Sequence, residues 1–176
     1  RYGEDLLYQR GLEAGQAEDF ATAERLMERA VAANPLLSDA YFARGYALYR
    51  LGRGEEAVSC FGRFLQMRGD IPEAYLNRAA TYFLLRRYDL AAADYHTLLR
   101  LVPDYPFALG NLLFCKLHCC DWAGLEEISD NIIEGLRARR PVIAPFDIKA
   151  LGLTPDAELL AAQIWAENEI PPVDRK

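Results

Sequence analysis

Large and small apolar positions return along this chain at a spacing of 34 residues. Bulky residues recur as Leu7, Tyr41, Tyr75 and Leu109, with a mostly small series four residues later: Gly11, Gly45, Ala79 and Leu113. A second pair of ladders runs through Phe20, Gly54, Tyr88 and Trp122, and through Ala23, Ala57, Ala91 and Leu125. Ala30, Phe64, Leu98 and Ile132 make a third, followed by the punctuating Pro35, Gly69 and Pro103. Several ladders at one period specify a repeated supersecondary unit. Each unit reads as helix A, a short turn, and helix B. The pattern predicts helix pairs over 4–16 and 19–33, 38–51 and 54–68, 72–85 and 88–101, and 106–119 and 122–138.

The residue types fit that plan physically. A bulky side chain on helix A fills the space between antiparallel helices, and the small residue one turn on lets helix B come close. Ala23, Ala57 and Ala91 are the reciprocal small contacts on helix B. Pro35 and Pro103 end helices because proline lacks the N–H and clashes with the preceding turn. Gly69 ends one by tolerating positive φ.

This pattern resembles the tetratricopeptide repeat over residues 4–139, in units of about 4–37, 38–71, 72–105 and a degenerate 106–139. In the last unit Leu113 stands at the small position and Arg137 at the proline position. The resemblance implies an all-α, right-handed superhelical solenoid of antiparallel helix pairs. It also implies that the helix A faces line a groove for a protein or peptide ligand. The groove candidates are Tyr8, Gln9, Phe42, Tyr46, Asn77, Asn111 and Phe114.

Gln9, Ala43, Asn77 and Asn111 occupy one register position, and amides there can both donate to and accept from a peptide backbone. Such columns occur in the superhelix of O-linked N-acetylglucosamine transferases. Asn77 and Asn111 read equally well as exposed amides that the position tolerates. Repeats that clamp a C-terminal carboxylate carry lysine and asparagine at groove positions; here those positions hold Tyr8, Leu12, Phe42 and Tyr46. The arginines of the next register, Arg10, Arg44 and Arg78, are expected to pair with acids on their own helix B, Glu24 and Asp94 being at hand.

Charge narrows the partner. Lys plus Arg number 20 against 26 Asp plus Glu, a net charge of −6, which repels phosphate backbones. Arg137, Arg139 and Arg140 are read as compensating a helix dipole rather than as a nucleic-acid patch. No apolar run reaches the ~18 residues of a membrane span. The four cysteines form no disulfide framework, so the expected compartment is the cytoplasm.

Candidate chemistry is sparse. Cys115, His118 and Cys119 share a helix face, but Cys120 points elsewhere and no fourth ligand stands near, so cysteine as a small apolar filler is preferred to a zinc site. Phosphate-loop, nucleophile-elbow and His-Glu-x-x-His patterns are absent from the sequence. No catalytic residue, cofactor or metal is expected within these 176 residues.

Residues 140–154 hold Pro141 and Pro145 with little periodicity and read as a linker. Thr154 as N-cap and Pro155 in the first turn then start a helix over 155–168, which stops before Pro171-Pro172 in a tail ending at 176. Cys119-Cys120-Asp121-Trp122, Arg140-Pro141, Pro145-Phe146 and Gln163-Ile164-Trp165-Ala166 resemble the junction between repeats and catalytic lobes in O-linked N-acetylglucosamine transferase and SPINDLY-like glycosyltransferases. That resemblance implies either the N-terminal repeat portion of such an enzyme, without its nucleotide-sugar lobes, or a relic that kept the repeats. The alternative is a stand-alone scaffold or assembly adaptor.

Overall fold

In a computed structural model the backbone is described for residues 2–169 and the side chains for residues 5–169. The tail 170–176, with Pro171 and Pro172, lies outside the described residues. The described residues form nine α-helices and a 3₁₀ turn. These are α1 (Tyr2–Gln16), α2 (Phe20–Ala33), α3 (Ser38–Arg50), α4 (Gly54–Arg68), α5 (Pro72–Leu84) and α6 (Tyr88–Leu101). They continue with α7 (Ala108–His118), α8 (Leu125–Arg137), the 3₁₀ turn Asp147–Leu151 and α9 (Pro155–Glu169). Two compact units divide the chain, residues 1–94 and 95–176, the division falling within α6.

The first unit stacks helix pairs by the small-to-large rule. A Cβ on Gly11 would come within 2.7 Å of Met27 Cε, and one on Gly45 within 2.9 Å of Phe61 Cε1. Met27 and Phe61 are therefore buried against bare backbone. Ala40, Ala57 and Ala74 are completely buried where helices cross. Phe42 packs α3 onto α4 within one pair, its ring 5.7 Å from Phe61 and 5.1 Å from Phe64.

A backbone period accompanies the sequence period. Glu18, Gly52, Arg86 and Cys120, 34 residues apart, all have positive φ, between 53° and 75°. Each closes the same turn after a helix A. Its own N–H donates three residues back, as Glu18 to Gly15 O and Cys120 to Leu117 O, and the next N–H donates five back, as Asp19 to Ala14 O and Asp121 to Lys116 O. This is the Schellman arrangement, which satisfies carbonyls left open at a helix end. Only one of the four positions is glycine, so residue type alone hides the rule.

The second unit departs from the expected boundaries. Helix A of the fourth repeat starts at Ala108 rather than 106, because Phe107 sits in the left-handed region at φ 59°. Its helix B begins at Leu125 rather than 122, after Gly124 at φ 71°. Trp122 thus lies in the connecting turn and is 66% exposed, instead of filling a helix B position.

The stretch expected as a linker is part of the core. Val142, Ile143 and Ile148 pack with Leu113, Ile132, Leu136, Ala161 and Ile164. Its backbone runs along the start of α7, where Phe107 N–H donates to Pro141 O at 2.6 Å and Gly110 N–H to Val142 O at 2.9 Å. The approach needs bare backbone: a Cβ on Gly110 would lie 2.9 Å from Ile143 Cα, and one on Gly135 2.5 Å from Val142 Cγ1. α9 covers the same core through Ala161 and Ile164.

Candidate functional site

In the first unit the C-terminal halves of α1 and α3 stand apart over the first turns of α2, leaving a cleft of ≈ 300 Å³. Gly11, Gly15, Ala23, Ala43 and Ala47 keep it open, and Leu12, Phe20, Met27, Phe42 and Tyr46 supply its apolar wall. Tyr46 is 40% exposed, with its ring centroid 6.1 Å from Phe20 and 6.4 Å from Tyr49. Arg50 lies against two residues of that wall, its guanidinium carbon 4.2 Å from the Phe20 ring centroid and Nη1 donating to Tyr46 Oη at 3.2 Å.

The structure separates the groove candidates into different environments. Phe42 and Tyr46 meet at the cleft. Tyr8 is half-buried against the Met27 and Ala40 layer, and that burial, with nearby Asp39, raises its phenol above the usual range. Gln9 is exposed on α1. Asn77 is half-buried on α5, and its Nδ2 donates to Glu73 O at 2.7 Å within its own helix. Asn111 and Phe114, both half-buried, belong to the second unit, where the Phe114 ring lies 4.2 Å from that of His118.

Two arginines of the register, Arg44 and Arg78, hold carboxylates in different ways. Arg78 forms a bidentate pair with Asp94 on its own helix B, at 2.7 Å through both Nε and Nη2. Arg44 instead reaches back to Glu24 and Glu28 on the preceding helix B, at 2.9 and 2.7 Å. The cause is a reciprocal exchange of residue type. Cys60 occupies in the second repeat the position Asp94 holds in the third, and it gives Arg44 no carboxylate. Val58 and Gly62 stand where Glu24 and Glu28 would serve Arg78. Glu24 also takes Arg53 at 3.3 Å.

The cysteine face has no metal geometry. Cys115 is buried, and burial pushes its thiol up to about 12. Cys119 and Cys120 are exposed, so the filler reading applies to Cys115 and not to Cys119. Among the described residues no group of three His, Cys, Asp or Glu is placed to hold a metal ion. Asp121 pins the α7–α8 turn, accepting from Lys116 Nζ and from Ala123 N–H, and both bonds hold its carboxyl below the usual range. Arg139 pairs with Glu167 at 2.6 Å, and Arg140 pairs with Asp104.

The regular helix pairs are also recognised by comparison. Residues 8–59 and 50–106 match the family model described as "Tetratricopeptide repeat", together more than half of the chain. The chain belongs to the tetratricopeptide-repeat family. An uncharacterized protein of Methanocaldococcus jannaschii, MJ0572, is 41% identical over 61 residues, which is 35% of this chain and 71% of that protein.

Among solved structures this tetratricopeptide-repeat chain is similar to MamA, with TM-score 0.71 and 18% identity over 97% of each chain. The repeat domain of Arabidopsis OM64 gives TM-score 0.62 at 22% identity, covering 66% of this chain and 97% of that one. The first repeat domain of Spaghetti (RPAP3), solved with the HSP90 peptide SRMEEVD, gives TM-score 0.62 at 21%, covering 66% of this chain and 93% of that one. At these identities the likeness establishes the superhelical repeat fold. Among the described residues no helix is long and apolar enough to cross a membrane.

Phe42 and Tyr46 are two of the groove residues expected from sequence; Gly15 and Phe20, which also line the cleft, and Arg50, which contacts Phe20, are not among them. Gly15 carries a readable signal, since it follows Gly11 by one turn and a second bare position there is not required by packing. Phe20 and Arg50 belong to different repeats and come together only through stacking of α2 and α3.

Proposed function

We propose that this chain is a peptide-binding module that holds an extended segment of a partner protein along its helix A faces. The carrying observation is the cleft of the first unit, whose walls offer contact area and hydrogen-bond donors but no nucleophile paired with a base. Peptide binding by RPAP3, a protein of like fold, supports a peptide as ligand. The apolar residues Tyr8, Leu12, Phe42 and Tyr46 favour a mode other than a terminal-carboxylate clamp. Asn77, with Tyr8 and Gln9, in the first unit, and separately Asn111, with Phe114, in the second are each assigned to peptide contact, the amides holding backbone. Fluorescence anisotropy with a bound partner peptide tests this: Asn77→Ala with Asn111→Ala is expected to weaken binding about tenfold with melting unchanged, at ~0.5–1.5 kcal/mol per hydrogen bond. Unchanged affinity would remove the amides from the site.

The finer part of the proposal is that the module serves an O-linked N-acetylglucosamine transferase or SPINDLY-like glycosyltransferase, selecting its protein substrates in the cytoplasm. It rests on the junction residues. Asp121 fixes the turn after Cys119-Cys120, Pro141 receives the Phe107 amide, and Ile164 enters the core. All three therefore carry structure in the second unit. Sequencing the parent gene past Lys176 tests it, with two nucleotide-sugar-binding α/β lobes expected. A stop codon there leaves the scaffold or adaptor reading, with peptide binding intact.

A further inference from the structure

We infer that the cleft between α1, α2 and α3 takes one large apolar side chain of an extended peptide, and that Arg50 pairs with an acidic residue next to that anchor. This rests on the peptide-binding reading above and specifies its ligand.

Size and shape limit the occupant. At ≈ 300 Å³ the cleft lies at the small end of ligand sites, about 300–1,000 Å³, and suits one bulky side chain rather than a cofactor. Its openness is not a packing necessity. Gly11 is forced by Met27, whereas a Cβ on Gly15 would find nothing nearer than Ala23 Cβ at 4.0 Å. The missing side chain leaves free volume facing Phe20 and Tyr46, both in the wall. Aromatic walls around small-residue floors give large contact area at low entropic cost.

Charge selects what flanks the anchor. Arg44, Arg53, Arg78, Arg87, Arg139 and Arg140 each hold a carboxylate. Arg50 is in no such pair among the described residues, and what sets it apart from the other arginines without one is its place over Phe20 and its bond to Tyr46, two residues of the cleft wall. Asp19, at the start of the adjoining helix, accepts from the Thr22 amide as its N-cap. A guanidinium with five donors, positioned by two rings, presents its remaining edge to a carboxylate. At the other end of α3 stands Asp39, 11 residues from Arg50 and so about 16 Å away along the axis. The groove is therefore polarised, and the acidic flank of the peptide lies toward the C-terminal end of α3.

A display library of random nonapeptides, selected against the chain, followed by labelled peptides with a central Phe or Leu flanked by Glu or by Lys, tests the inference. Selection is expected to enrich a bulky apolar residue with Asp or Glu beside it. The Glu peptide should bind about fivefold tighter than its Lys counterpart. Arg50→Glu should reverse that preference, and Gly15→Leu should weaken both peptides tenfold or more. Gly15→Ala, whose added atom meets only ordinary contact, provides a milder block that leaves the helix intact. Equal affinity for the Glu and Lys peptides, or full affinity in both Gly15 variants, would overturn the inference. Binders lost with Asn77→Ala but indifferent to Arg50 and Gly15 would overturn it while sparing the peptide-binding reading. A library without binders would overturn both.

Discussion

At the scale of single residues, the glycines divide into those the fold demands and those it merely contains. Gly110→Ala must push against the Ile143 backbone 2.9 Å away, so it should destabilise by about 1–3 kcal/mol in urea denaturation. Gly15→Ala meets no such obstacle and should be neutral or stabilising by up to about 1 kcal/mol in the same assay. Arg78→Ala leaves Asp94, whose side chain is 7% exposed, without its bidentate partner. With Arg78 itself one-fifth exposed, a loss of about 2–3 kcal/mol is expected from chemical denaturation. Asp147 gives a pH signature. Burial alone raises its carboxyl above the usual range. A raised folded value means the group favours the folded state below its unfolded value of about 3.9 and loses that contribution as pH climbs through the folded value. Asp147→Asn should therefore raise the melting temperature at pH 7, with an advantage that shrinks as the pH falls through the raised folded value toward about 4.

At the scale of elements, the turns after each helix A follow a conformational rule that composition conceals. Glu18, Arg86 and Cys120 occupy a position where only Gly52 has the residue type the backbone prefers. Substituting Arg86 with Gly should stabilise by a few tenths to about 1 kcal/mol, because the αL penalty removed slightly exceeds the added entropy of the unfolded chain. Thermal melts of the variant check this. The element register was legible wherever bulky and small residues alternate at a fixed period: the three helix pairs through α6, and α9 from Thr154-Pro155, lie within about two residues of expectation. It failed where the determinants are nonlocal. Trp122 sits on an apolar ladder, yet Asp121 and Gly124 turn the chain there. Pro141 and Pro145 suggest a linker, yet their neighbours Val142 and Ile143 are buried, because Gly110 and Gly135 admit them from distant parts of the sequence. Likewise Arg50 ends α3, and it comes over the Phe20 ring only because α2 and α3, of different repeats, stack together.

At the scale of the whole molecule, repetition and irregularity serve different ends. The regular helix pairs build a stacked array from contacts between near neighbours in sequence, as repeat proteins do. The second unit is built from contacts that reach far along the chain. Hydrogen exchange should show the contrast: the Gly110 amide, in the first turn of α7, is protected by Val142 O, whereas the Glu126 and Glu127 amides start a helix without a side-chain cap and should exchange quickly. The returning segment also sets an order in time. As the polypeptide leaves the ribosome, each early helix pair finds its packing partners almost at once. α7 emerges with the Phe107 and Gly110 amides unanswered until Pro141 and Val142 are made, 34 and 32 residues later. At roughly 5–20 residues per second that interval is about 2–7 seconds, during which Leu113 has no finished core to enter. The regular helix pairs can be complete while the residues that finish the core of the second unit are still being synthesised.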